Sequence, residues 1–448
     1  DTPHTMAQGI TALAEALGFE FLAPMLGWKD MDKFKGNKIL ARSVQGKNIS
    51  IERDFADAFQ LVNAIRDTSE DADTEVFYRV SISKVGRHQF MGINPQNNKI
   101  LRALVTATHA VLDMTTKDDS DAFWLTVAQG MDVSSLKVEN VPHDIILRRV
   151  EAEFTKKYGA AADLALDFIK TGEIDGAAFA ASMGEASMAQ INTVFAVAEL
   201  NFAKESGTLN NFNTSISFEL DGKTDGPGNM MVNFGQGILT MSDMSNLEKV
   251  GYFLGQTKKT LNEYFGAGNQ DLYDTTSRTA ERLFSNQILS TKNGAAKTAL
   301  QASQRFASVF GDFAVDAETG EITMTRKTAK NPMTKTVYGS GVSGVAGGVA
   351  QAMELEFYRF LASLGEGAHV DSNYPTLVKD VEILFGVKLP DQFNGAEFEF
   401  NKNQSEHFAK LIEEGIGGIL SEAAKKTIGD PITEVNATLV MISNIQSE

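Results

Sequence analysis

The chain has 448 residues, 43% apolar and 22% charged, with no cysteine and a net charge of −17. Such a chain folds into two or three domains, and the composition excludes disulfides, thiolate metal centres and a uniformly basic nucleic-acid coat. No stretch approaches 18 uninterrupted apolar residues, so no membrane span is predicted. The opening "DTPHTMAQGI" lacks a basic-then-apolar signal and an initiator Met, as a processed chain or a piece of a longer one would.

In chain order, "MAQGITALAEALGFEFLAPML" and "FADAFQLVNAIRD" carry helical apolar spacing across the first 70 residues. "TEVFYRVSIS" (Thr74 to Ser83) alternates and is rich in β-branched and aromatic residues, which predicts a strand. A Gly-Arg turn follows, then a loop at "NPQNN", then a helix over "ILRALVTATHAVLDM". Residues 120–205 read as mostly helical, and "NTSISFELDG" (Asn213 to Gly222) as a second strand ending in an Asp-Gly turn. Helix resumes after Gly228 to about Phe310, "FAVDAETGEITMT" reads as a hairpin around Thr319-Gly320, and the remainder as helices with loops. The expected fold is α+β and helix-rich, without regular β-α alternation.

Charge is unevenly placed. From Val76 to Leu112 there is no Asp or Glu, while Arg79, Lys84, Arg87, Lys99 and Arg102 are basic. From Ile322 to Met353 there is again no acid, with Arg326, Lys327, Lys330 and Lys335. In a chain with 58 acidic residues, these gaps read as two local positive sites on an acidic body.

The second gap contains "YGSGVSGVAGG", in which Gly339, Gly341 and Gly344 match the Gly-x-Gly-x-x-Gly spacing of a dinucleotide turn. The segment after Gly348 is one continuous helical pattern with no second strand, so a Rossmann oxidoreductase is the weakest of the readings. No Gly-Lys-Ser/Thr follows the glycines, which excludes a Walker A loop. The glycines read instead as a turn and a tightly packed helix start.

Arg326, Lys330 and Tyr338 fall within about 120° of one another on a helix, so a guanidinium and an ammonium could clamp a polyphosphate beside an aromatic ring. The pair Asp221-Gly222, leaving a strand, offers a carboxylate and a free carbonyl, a half-site for Mg²⁺. Either feature alone has a bland counterpart, a solvated basic stripe or a simple turn.

Together they resemble the single-subunit DNA-dependent RNA polymerases of phages and mitochondria. "GRHQFMGINPQNNKILRALV" is similar to the family's first shared block, with Gly86-Arg87 and the Asn94-Pro95-Gln96 step. "DGKTDGPGNMMVNFG" resembles motif A, and "RKTAKNPMTKTVYGSG" resembles motif B on the fingers helix. The style of motif A, and about 109 residues between Asp221 and Lys330, lean toward the virion-packaged branch of coliphage N-four type. Family A DNA polymerases place an aromatic where this chain has Thr334 and a Glu where it has Gly226, so ribonucleotides fit better.

The resemblance implies a right-hand polymerase fold, of which this chain carries part of the palm plus the fingers. The parts would be 1–73 as a helical thumb-side segment, 74–245 as palm and 246–448 as fingers. It implies nucleotidyl transfer from NTPs with two Mg²⁺ ions, DNA as template and RNA as product. Asp221 and Gly222 would bind metal, and Arg326 and Lys330 the triphosphate. Tyr338 and Gly339 would border the incoming nucleotide, and Arg87 would hold the RNA–DNA hybrid. Asp221, Lys330 and Tyr338 are thus the catalytic candidates, and the phage virion or infected cytoplasm the expected location.

The family's second metal-binding Asp, in a His-Asp-Ser or His-Asp-Gly hairpin downstream, has no match. His143-Asp144 comes too early, and Asp371 in "AHVDSN" follows an insertion. The remaining palm is therefore expected in cis beyond Glu448 or on another chain, leaving this one inactive by itself. A non-catalytic nucleic-acid-binding or virion structural protein derived from a polymerase is the alternative. Pro332 either kinks the motif B helix or begins it with Asn331 as cap.

Overall fold

A computed structural model describes residues 4–34, 36–68, 75–82, 88–107, 110–138, 141–214, 216, 272–290, 294–311, 313–315, 322–324, 326–337, 340–364, 367, 370 and 375–428. They gather into two compact units, Asp1–Met31 with Ser43–Ser81 and His88–Asp221, and Asp32–Arg42 with Ile82–Arg87 and Gly222–Glu448. The described residues are predominantly helical, with short strands in two-stranded pairs.

In the first unit, strand β1 (His4–Met6) leads into helix α1 (Gln8–Met25), which kinks at Gly18 (φ 58°, ψ −175°), a conformation a side chain would resist. Helix α2 (Lys38–Thr68) follows, then strands β2 (Val80–Ile82) and β3 (His88–Phe90). The predicted helix over "ILRALVTATHAVLDM" is corrected by the structure. Helix α3 stops after Lys99–Leu104, and the chain continues as strands β4 (Val105–Ala107) and β5 (Ala110–Leu112). Val105, Thr106 and Val111 are β-branched, and their strands find distant antiparallel partners. Strand β4 pairs with β1, His4 opposite Ala107, and β5 with β6 (Phe212–Thr214).

Helices α4 (Lys117–Met131), α5 (His143–Leu147), α6 (Val150–Thr171), α7 (Gly176–Met183) and α8 (Met188–Ser206) complete this unit. Ser187 and Gln190 form a reciprocal capping box at the start of α8. Every residue from Ile191 to Ala198 is buried, so α8 is packed on all sides, against α6, α4 and α3 among others. The next residue is Glu199, whose Oε2 is buried with no hydrogen-bond partner among the described residues. Burial pushes its carboxyl up to about 8, because the charged form cannot be solvated.

The second unit contains α9 (Leu272–Ser290), α10 (Gly294–Phe310), strands β7 (Phe313–Val315) and β8 (Ile322–Met324), and α11 (Arg326–Val337). Strands β7 and β8 form the predicted antiparallel hairpin, Phe313 opposite Met324. Then come α12 (Val342–Leu364), α13 (Pro375–Phe385), α14 (Lys402–Ile412), a π-helical turn (Glu413–Gly417) and α15 (Gly418–Ile428). Phe306, Phe357, Phe385, Phe400 and Phe408 pack face and edge, with the Phe385 and Phe400 rings stacked at 3.8 Å between centroids. Asp380, only 2% exposed, is held by the Arg305 guanidinium through two bonds of 2.6 and 3.0 Å.

Candidate functional site

The described part of the Gly-Arg block, from His88 on, is held by a strand pair and a turn. Met91 donates its backbone N–H to the Arg79 carbonyl (2.8 Å), and the Tyr78 and Phe90 rings lie 5.4 Å apart on one face of the β2–β3 pair. Burial pushes the Tyr78 hydroxyl up to about 12. Phe77, Arg79 and Met91 flank the two strands, and all three are exposed, as is Glu75. Arg87 lies outside the described residues.

The turn after β3 is built by asparagine side chains. Asn94, 1% exposed, donates its amide to the Phe90 (3.2 Å) and Gly92 (2.7 Å) carbonyls and accepts from the Gln96 and Asn97 N–H groups. Gln96 reaches back to accept from the Phe90 N–H (3.1 Å), locking turn to strand. Asn98 caps α3 through the Leu101 N–H and donates to the Asp54 carbonyl of α2 (2.6 Å). Arg102 donates to the Pro95 and Gln96 carbonyls (2.9 and 3.0 Å). Composition alone marked "NPQNN" as a loop. The habit of Asn side chains to mimic backbone turns is the signal that points to this frame.

Motif A is described only in its approach. Strand β6 ends at Thr214, and Asp221 and Gly222 lie outside the described residues, as do Tyr338, Gly339 and Asp371. His143 and Asp144 stand in the exposed first turn of α5, where Asp144 pairs with Arg148 at 2.7 Å. Among the described residues no cluster of three or more acidic or imidazole side chains could hold a metal ion.

Motif B is a helix from Arg326 to Val337 with Pro332 inside it, which decides between the two starts considered. The missing Pro332 N–H removes one bond toward the Thr328 carbonyl. Burial of Pro332 with Ala329, Met333 and Thr336 gives the helix an inner face. Lys330 is exposed, and the backbone puts Arg326 one turn before it. Thr334 donates its hydroxyl to the Lys330 carbonyl (2.7 Å).

Lys335 behaves differently. Its ammonium donates to the Gly344 carbonyl of α12 (3.3 Å), and a β-carbon at Gly348 would run into it. A β-carbon at Gly417 would overlap Ala346 of the same helix. The glycine run is thus the start of α12, with Gly344 and Gly348 making the groove in which Lys335 lies.

The model of the virion DNA-directed RNA polymerase domain matches residues 1–105. The model of the helical domain of the bacteriophage N4 RNA polymerase matches residues 276–448. The virion DNA-directed RNA polymerase of Enterobacteria phage N4 is 28% identical over 390 residues, 86% of this chain. Over most of its length the chain is thus similar to a phage virion RNA polymerase. It spans 11% of the length of that N4 polymerase. The first model covers the β2–β3 pair and the asparagine turn, and the second covers α11 and the aromatic core.

Proposed function

We propose that this segment forms part of the palm and the fingers of a right-hand, DNA-dependent RNA polymerase carried in a phage virion and acting in the infected cell. The observation that carries the reading is the order of its parts. Gly86-Arg87, Asp221-Gly222 and the Arg326/Lys330 helix follow one another inside a chain whose two ends match virion polymerase models.

Lys330, exposed on α11, would meet the triphosphate of an NTP together with Arg326, countering charge that grows on the leaving pyrophosphate. Tyr338 and Gly339 would border the incoming sugar and base. Arg87 would grip the backbone of the RNA–DNA hybrid, a contact that positions without reading sequence. Asp221 and the Gly222 carbonyl are hard oxygen donors that fit Mg²⁺, and they make a half-site that a second carboxylate must complete. Bound there, Mg²⁺ supplies Lewis-acid stabilisation of the attacking and leaving oxygens.

The test uses the natural protein that carries this segment, in an NTP-incorporation assay on single-stranded template. Asp221→Ala and Lys330→Ala should each lower incorporation by about a hundredfold or more, the scale of losing one electrostatic stabiliser. Unchanged incorporation by either variant sinks that residue's role.

A further inference from the structure

We propose that the exposed surface beside the β2–β3 pair, formed by Phe77, Arg79 and Met91 where the chain enters and leaves the two strands, is a contact surface for single-stranded nucleic acid. Phe77 stacks on a base, Arg79 holds the adjoining phosphate, and Met91 flanks the ring. The proposal rests on the polymerase reading only for the expectation that single-stranded template or transcript passes this chain.

Three observations carry it. Phe77 is 61% exposed and Met91 50%, although a ring beside a strand ordinarily packs inward, as the Tyr78 and Phe90 rings do. Among the described residues, four of seven large exposed apolar side chains (Phe77, Val80, Met91 and Val111) fall within the acid-free run from Val76 to Leu112. An open aromatic with a guanidinium two residues on matches a flat base followed by a phosphate, with Glu75 just outside the run as the nearest carboxylate in sequence.

The surface is also stiff. Asn94 and Gln96 bind the backbone at Phe90, and Met91 is bonded to Arg79, so little ordering is needed when a strand arrives. Base stacking on an open ring tolerates any sequence, which suits a contact made on a moving strand.

The test measures binding of short fluorescein-labelled oligothymidylate and oligouridylate to the 448-residue chain by anisotropy, across a salt series. Phe77→Ala should weaken binding about tenfold, the effect of losing one stacked base. Arg79→Gln should weaken it less and lower the salt dependence by about one phosphate contact. Phe202→Ala, at an exposed ring outside the acid-free run, should bind as the unaltered chain does. Phe77→Trp should keep the affinity and lose emission when oligonucleotide is added, compared with the chain's own two tryptophans. Unfolding curves that coincide for all variants would establish that the fold is intact, and stronger binding of one oligonucleotide identifies DNA or RNA as the source. Equal binding by the unaltered chain, Phe77→Ala and Arg79→Gln overturns the surface, as does no binding at all. Either result leaves the Asp221→Ala assay to judge the polymerase reading independently.

Discussion

The two acid-free segments look alike as sequence and differ in how their cations are held. In the first, Arg102 is folded into the frame, bonded to the Pro95 and Gln96 carbonyls, while Arg79 and Lys99 stand exposed. In the second, Lys335 lies in a glycine groove on α12, while Lys330, five residues earlier on the same helix, is exposed. The absence of acid marks a neighbourhood, and only the fate of each ammonium or guanidinium tells framework from contact. A basic side chain bonded to backbone carbonyls has given its charge to folding. One left in solvent, with no carboxylate in its own run, keeps it for a ligand.

The largest effect expected lies outside both segments and separates stability from binding. Glu199 is held neutral in the folded protein up to about 8, against an ordinary value of 4.5. The folded state therefore binds the extra proton between those values. The contribution of Glu199 to stability is full below 4.5 and is lost as pH rises through 8. Glu199→Gln should flatten that slope in thermal melts. Oligonucleotide affinity, resting on an exposed guanidinium and stacked rings far from Glu199 in sequence, should change little over the same range.

Asn94→Ala comes next. It strands the Gln96 and Asn97 N–H groups and the Phe90 and Gly92 carbonyls, and should cost about 3 kcal/mol in denaturant unfolding. Preserved stability would show that the turn does not depend on its asparagine. The smallest effects distinguish the two lysines of α11. Lys335→Ala should cost about 1 kcal/mol through its lost bond to Gly344. Lys330→Ala should stay within about 0.5 kcal/mol, as exposed substitutions do. Equal costs would erase the contrast on which this reading of the second segment stands.

Local pattern made the helices and the β7–β8 hairpin legible, because apolar spacing and turn residues act over short range. The glycine run was legible as a helix start, since no strand followed it. Strands β4 and β5 were not, because "ILRALVTATHAVL" also satisfies helical spacing and their partners, β1 and β6, are about a hundred residues away. Pro332 left two helix starts open, since the cost of a proline is set by what buries its ring. In the candidate site, the sequence pointed to Lys330, which the helix leaves exposed, and named Asn94 and Arg102 without the framework bonds they make, which, like the cap from Asn98, arise only once the turn closes. Arg87, Asp221, Gly222, Tyr338 and Gly339 lie outside the described residues.

The π-helical turn at Glu413–Gly417 acts as a phase correction. The inward positions of the last helices are Phe408, Ile412, Ile416, Leu420 and Ala424, a strict repeat of four. On an ideal α-helix such a row drifts about 40° per step and would end roughly 160° from where it began. One wider turn takes up a residue and brings the row back to the same side. Deleting a single residue there would turn Leu420 and Ala424 out of the core while leaving the helical propensity of the segment intact.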